Sequence, residues 1–401
     1  MLAEKLNGDV KIVSKNQGVN VKIPDVEFYD CSVEEGISKM VSSFSPYGKV
    51  GYVTTFESGL KYCTKLAKTV RKTGAVMATL IMEDLDVTID NLSRLFSFPE
   101  DVRLIIVTDA VIVPFALYYC SLRGVPLVII PSSMNVKGIL KNKVYVKTQD
   151  KMDAVNVKVK RHVVIDVNFI DDKLHSAYAH VMSKLTSLID YRLSRVLLQK
   201  STAKSPYDLV RQSVINTFSA DFSDEQIKEI LLYNSFKVEL ASLVTRGDLC
   251  DLSSSNIALL LENKEYSPDL ELLFSLRIIK LYELLSSNVA DFMALTDFNS
   301  LSQVLSDKTG IKDTSFIKNY QKQGQMIDKN VEKVKTALSN MKDEISSFSS
   351  LQDKILENYR SLGGKIEKAD DFSFSLMHSG DYFVGINGVT LAREMKLFYK
   401  V

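Results

Sequence analysis

Leu104-Ile105-Ile106-Val107, then Thr108-Asp109 and an apolar segment from Ala110 to Leu122, then Gly124-Val125-Pro126-Leu127-Val128-Ile129-Ile130-Pro131-Ser132-Ser133, carry the clearest architectural signal in the chain. Two short aliphatic runs flank a segment of helical length, with a Gly-x-Pro turn before the second run. That order is a strand, a crossover helix and a second, parallel strand. Upstream, Lys49-Val50-Gly51-Tyr52-Val53-Thr54-Thr55 reads as a strand, and Ser58 to Thr73 as a helix with Leu60, Cys63, Leu66 and Val70 on one face. Ala75 to Met82 reads as a buried strand, Thr88 to Phe96 as a helix, and residues 142–167 as two β segments, Lys143–Lys147 and His162–Val167, around a charged turn. The expected fold class is therefore an α/β N-terminal domain with a parallel, Rossmann-like sheet.

After Asp171 the pattern changes to helical periodicity, for example Val181/Leu185/Leu188 and Leu270/Leu273/Leu276/Ile279, and Pro268 is the last proline. An all-α C-terminal domain with a long amphipathic helix is expected. The boundaries are placed at 1–170 for the nucleotide-binding-type domain, 171–315 for the helical domain and 316–401 for the long helix and tail. The long helix rests on Ile327, Val331, Val334, Leu338, Met341, Ile345 and Phe348, whose steps alternate between four and three, the a/d spacing of a coiled coil. Leu351, Ile355, Tyr359 and Leu362 continue it with a shifted phase, and Gly363-Gly364 supplies a stop. Packing on its own domain and pairing with a second copy or a partner helix through 327–362 are both open readings. Two strands or a hairpin around Gly385–Gly388 are expected in the tail.

With 401 residues, 46% hydrophobic and 25% charged, the chain has an ordinary globular composition. Fifty basic residues against 49 acidic ones provide no global field for nucleic acid or an anionic membrane. The first residues lack the apolar core of a signal peptide, and no apolar stretch reaches the roughly 20 residues of a spanning helix. Cys31, Cys63, Cys120 and Cys250 form no CxxC pair, which fits free thiols in a reducing compartment. The expectation is a cytoplasmic protein with no nucleic-acid or membrane partner. Phosphate-loop, HExxH and GxSxG motifs are all missing from the sequence.

The segment from Leu104 to Asn135 resembles the nucleotide-binding half of the iron-containing alcohol dehydrogenase and dehydroquinate synthase superfamily, in particular the glycerol and glycerol-1-phosphate (polyol) dehydrogenases. Ser176-Ala177-Tyr178-Ala179-His180-Val181-Met182-Ser183-Lys184 and Asp190-Tyr191-Arg192-Leu193 are similar to that family's metal-binding helix and the Asp-Trp segment after it. The resemblance covers about residues 45–290. It implies a two-domain fold, NAD(P) as cofactor, and a divalent ion held by one Asp and two His.

The residues depart from that pattern in informative places. Thr108, Asp109, Ala110, Ser132 and Ser133 take the position of the family's cofactor clamp, where three glycines would let backbone N–H groups approach a pyrophosphate. Here Cβ atoms fill that space and Asp109 adds a carboxylate. The simplest physical reading is that Thr108 or Asp109 N-caps the following helix. Pro114 falls in the first helical turn, where it is tolerated, and Leu117 reads as core.

The metal position fares similarly. His180 aligns with the family's metal-binding Asp, and no histidine lies between 181 and 377. No metal is expected, with His180 the one ligand if a site exists. Glu262 and Glu271 are the nearby carboxylates, and a helical Glu is ordinarily solvated. Lys137, Lys141, Lys143 and Lys184 suggest a basic cleft mouth suited to a small anionic ligand, with Lys137, His180 and Lys184 as the contacts. Solvated loop lysines are the commoner fate.

Three functions follow as expectations. The first is a degenerate, metal-free homologue of polyol or glycerol-1-phosphate dehydrogenases with a binding or regulatory role. The second is a divergent active NAD(P)-dependent oxidoreductase on glycerol phosphate or a related polyol. The third is a scaffolding protein that forms a homo-oligomer through its C-terminal helix.

Overall fold

The aliphatic runs Val102–Val107, Leu127–Ile129 and Arg161–Ile165 carry almost no polar side chains facing solvent, as strands covered on both faces must. The computed structural model describes residues 2–14, 25–148, 152–197, 200, 202–245, 268–287 and 330–365. The chain forms two compact units that divide between Asp172 and Lys173.

The first unit holds a six-stranded parallel sheet. Its strands are β1 (Val26–Asp30), β2 (Lys49–Thr55), β3 (Val76–Met82), β4 (Val102–Val107), β5 (Leu127–Ile129) and β8 (Arg161–Ile165), in the order β1-β8-β5-β4-β2-β3. The helices are α1 (Leu2–Ser14), α2 (Val33–Phe44), α3 (Phe56–Lys72), α4 (Ile89–Ser93) and α5 (Val113–Arg123). One core gathers Val50, Tyr52, Leu104, Ile106, Val128 and Val164 from the sheet against Ile37, Met40, Leu66 and Val70 from α2 and α3. Each such side chain contributes about 1.5–3 kcal/mol when fully buried.

Gly36 lets α2 come close to the sheet: a Cβ there would meet Val164 Cγ1 at 2.5 Å. α5 begins with Pro114 in its first turn and ends at Gly124, whose φ of 67° supplies the left-handed cap. Leu117 is buried, as core.

The 142–167 segment differs from the two-strand expectation. β6 (Lys143–Lys147) pairs antiparallel with β7 (Met152–Asn156), while β8 leaves them and enters the main sheet between β1 and β5. The alternating Met152–Asn156 run is half-polar, so composition alone disguises it as turn. Buried Arg161 ties the two parts together by donating to Lys141 O at 2.8 Å and Asn142 Oδ1 at 3.1 Å.

The second unit is helical where described: α6 (Leu174–Met182), α7 (Lys184–Leu197), α8 (Lys204–Phe218), α9 (Ile227–Thr245), α10 (Pro268–Ser287), α11 (Val331–Asn340), α12 (Lys342–Ser350) and α13 (Gln352–Ser361). The 331–361 run is divided at Met341 and Leu351 into three successive pieces. Val334, Leu338, Met341, Ile345, Ile355 and Tyr359 are buried, and α11 packs on α7, α12 on α10 and α13 on α6. The heptad seam thus turns inward on its own unit. The strands expected around Gly385–Gly388 lie outside the described residues.

Candidate functional site

In a sheet ordered β1-β8-β5-β4-β2-β3, the chain runs from β2 out to β3 and then back past β2 to β4. The carboxyl ends of β2 and β4 therefore flank a topological switch point, the usual ligand crevice of such sheets. Thr55 ends β2 and caps α3, accepting from Ser58 N at 3.2 Å. Thr108 and Asp109 follow β4, and Ser132 and Ser133 follow β5.

Asp109 organises this crevice. Its Oδ1 accepts from Ser58 Oγ at 2.6 Å and from Ser132 Oγ at 3.2 Å, and its Oδ2 accepts from Thr55 Oγ1 at 3.2 Å. Three hydroxyls are thus turned toward one carboxylate. Thr108 Oγ1 bonds Tyr52 OH at 2.9 Å, and Thr108 O accepts from Ser132 N at 3.0 Å. Burial pushes the Tyr52 phenol up to about 12, so it stays protonated.

The N-cap expectation is corrected here. Neither Thr108 nor Asp109 caps the following helix with its side chain; Ala110–Ile112 forms a 3₁₀ turn before α5, and both side chains are drawn across the sheet instead. Ser133 Oγ bonds Asn135 O at 3.4 Å, and Asn135 Oδ1 accepts from Lys137 N at 3.2 Å. Lys137, Lys141 and Lys143 are half-buried along the loop that follows.

A phosphate group would need donors at this crevice and no competing anion. The hydroxyls are committed to Asp109, and two like charges about 4 Å apart cost roughly 4 kcal/mol near a protein surface. The arrangement does not fit the pyrophosphate of a dinucleotide. It suits a hydroxyl or cationic group better.

In the helical unit, His180 on α6 is fully buried, with Nε2 3.3 Å from Glu239 Oε1 on α9. Burial, the largest influence, lowers its pKa below the ordinary 6.5; the nearby Glu239 carboxylate opposes this and Lys184 adds to it. Lys184 opens α7 and donates to Glu271 Oε1 on α10, both side chains buried. Glu271 therefore corrects its expectation: it is interior, because the Lys184 ammonium answers its charge. The ladder continues along α7 and α10. Ser275 Oγ donates to Ser183 O at 2.8 Å and bonds Thr186 Oγ1 at 3.0 Å, and Tyr282 OH donates to buried Asp190.

These residues do not make up a divalent-metal site. An ammonium stands beside the carboxylate that a metal would need, and among the described residues no three His, Cys, Asp or Glu side chains form a possible ligand set. Glu262 and the rest of Asp251–Glu262 lie outside the described residues. Sequence reasoning missed Tyr52, Thr55, Ser58 and Glu239. A signal existed for two of them: Thr55 ends a strand three residues before Ser58, an N-cap pattern, and Glu239 is a lone acid among Val238, Leu240 and Ala241 in an almost wholly buried helix.

No family model and no curated protein sequence matches the chain. Solved structures do. Glycerol dehydrogenase from Schizosaccharomyces pombe is similar at 12% identity, with a TM-score of 0.51 over 84% of this chain and 91% of that one. An iron-containing alcohol dehydrogenase from Thermococcus thioreducens gives 11%, with a TM-score of 0.56 over 94% and 98%. A 1,3-propanediol oxidoreductase gives 13%, with a TM-score of 0.55 over 95% and 100%. At such identities the likeness is one of fold: the chain has the iron-containing alcohol dehydrogenase fold, a parallel α/β domain followed by a helical region. Among the described residues no helix is long and apolar enough to cross a membrane.

Proposed function

We propose that this chain is a catalytically inert relative of the polyol dehydrogenases, with a binding or regulatory role in the cytoplasm. A single observation carries the reading: around His180, which aligns with the family's metal-binding Asp, the described residues supply Glu239 but no set of three His, Cys, Asp or Glu side chains able to hold an ion. The crevice at the cofactor-clamp position supports it, since Asp109 engages Thr55, Ser58 and Ser132 where a dinucleotide phosphate would need them. Hydride transfer from an alcohol needs a group that polarises the hydroxyl and a cofactor that accepts the hydride. Among the described residues no group of three His, Cys, Asp or Glu could hold a polarising metal, and the Asp109 carboxylate opposes a dinucleotide phosphate. The ligand we assign is a small anion held by the Lys137–Lys143 segment, which carries three lysines within seven residues.

The test is calorimetric titration with NADPH, NADH and glycerol 3-phosphate, with metal analysis of the purified protein and a turnover assay on glycerol and its phosphate. Expected are no stoichiometric metal, no dinucleotide binding below millimolar concentration, and binding of the phosphate alone. One equivalent of zinc or iron, or micromolar NADPH affinity with turnover, would establish the active oxidoreductase instead.

A further inference from the structure

The six-stranded sheet ends in β1 on one side and β3 on the other, and the chain treats these two edges differently. Along β1, Asn7 on α1 imitates a neighbouring strand: its Nδ2 donates to Phe28 O at 2.9 Å and its Oδ1 accepts from Phe28 N at 3.0 Å. Along β3 no described strand or helix covers the edge. Val76 is 63% and Ile81 36% exposed, and Thr79 between them is exposed too. An open edge is normally blunted by a charge, a proline or a bulge. Val76-Met77-Ala78-Thr79-Leu80-Ile81-Met82 has no charge and no proline, and it pairs with β2 in unbroken register.

We propose that β3 is a docking edge for a second copy of this chain, paired antiparallel about a two-fold axis through Thr79. Val76 N donates to Gly48 O on the β2 side. By alternation, Met77, Thr79 and Ile81 turn their N–H and C=O groups outward. A two-fold axis through Thr79 sets Met77 opposite the partner's Ile81 and Thr79 opposite the partner's Thr79, joined by about six main-chain hydrogen bonds. On the other face Val76 meets the partner's Met82 and Ala78 the partner's Leu80. Every pair is apolar or Thr–Thr, and no like charges face each other.

The flanks complement one another as well. Arg71 and Lys72 precede the strand, and Glu83 and Asp84 follow it, so each copy's basic end meets the other's acidic end. Glu83 is only loosely held by Arg94, at 3.9 Å. Next to the strand, α3 brings Gly59 against Ile81 and leaves Phe56 and Leu60 60% and 74% exposed, which widens the apolar margin.

Light scattering on the full chain at tens of micromolar tests this. The wild type is expected at dimer mass, and Thr79→Lys, which sets like charges face to face on the axis at an exposed position, at monomer mass with an unchanged far-UV circular dichroism spectrum. Register is tested by Thr79→Cys in a Cys63→Ser background, because Cys63 Sγ lies 3.4 Å from Thr79 Oγ1 and would otherwise compete. A hydrogen-bonded antiparallel pair holds its α-carbons about 5.5 Å apart, within disulfide reach. Diamide should therefore cross-link that variant into a covalent dimer and leave Cys63→Ser alone uncross-linked. A monomeric wild type overturns the proposal. So does a Thr79→Lys dimer, or a dimer lost only when residues 327–401 are removed.

Discussion

The ammonium of Lys184 and the carboxylate of Glu271 meet in the interior of the helical unit, joining the first turns of α7 and α10. Charges so placed stabilise only as a pair. Removing one partner leaves the other uncompensated, at a cost of about 3–5 kcal/mol, whereas apolar replacement of both is often neutral. Lys184→Met should lower the urea midpoint accordingly, and Lys184→Met with Glu271→Leu should recover most of the loss. A single variant as stable as wild type would mean the pair is solvated.

Acid should weaken the fold from about neutrality downward. Burial lowers the pKa of His180, faced by Glu239, Lys184 and Glu271, and of His162, faced by Glu27, Tyr29, Lys160 and Asp25, below 6.5. The native state holds both rings neutral while the unfolded chain takes up protons. Their stabilising contribution is therefore complete above pH 6.5 and falls away below it, with a slope of at most about 1.4 kcal/mol per pH unit for each ring. His180→Gln should flatten the dependence between pH 7.5 and 5 to that of the remaining ring. A variant whose curve overlays that of wild type would show that His180 is not depressed.

The Asp109 carboxylate should act as a gate on anion binding. Asp109→Asn keeps the shape and removes the charge, so pyrophosphate affinity measured by calorimetry should rise at least tenfold, within the roughly 4 kcal/mol that a like charge at about 4 Å can impose. Unchanged affinity would mean that Cβ crowding at Thr108 and Ala110, rather than charge, closes the crevice.

Asn7→Ala should loosen the β1 margin. It removes two hydrogen bonds to the backbone of buried Phe28, a loss of about 1–3 kcal/mol. Hydrogen exchange at Phe28 should accelerate while exchange at Val128 in the centre stays slow. Equal acceleration at both would place the effect on the whole unit.

The sheet was legible because its central strands are built on unbroken aliphatic runs: 104–107 and 127–130 can hardly be read otherwise. The half-polar β7 and the five-residue β1 were harder, since such short amphipathic segments carry little periodic signal. At the candidate site the resemblance singled out Thr108, Asp109, Ala110 and His180, but the sequence does not say where their side chains point. Asp109 looked like a cap because local chemistry favours caps, and only the fold brings Thr55 and Ser58 within its reach. Glu271 looked solvated because its partner lies 87 residues away.

The side chain of Asn7 has a wider effect than its two bonds. A sheet sealed along one margin can recruit along the other only once, and a copy that does so spends its single open side. Growth then stops at a closed pair instead of running on into a fibre. The N-terminal helix thereby sets an upper bound on how many chains this sheet can join.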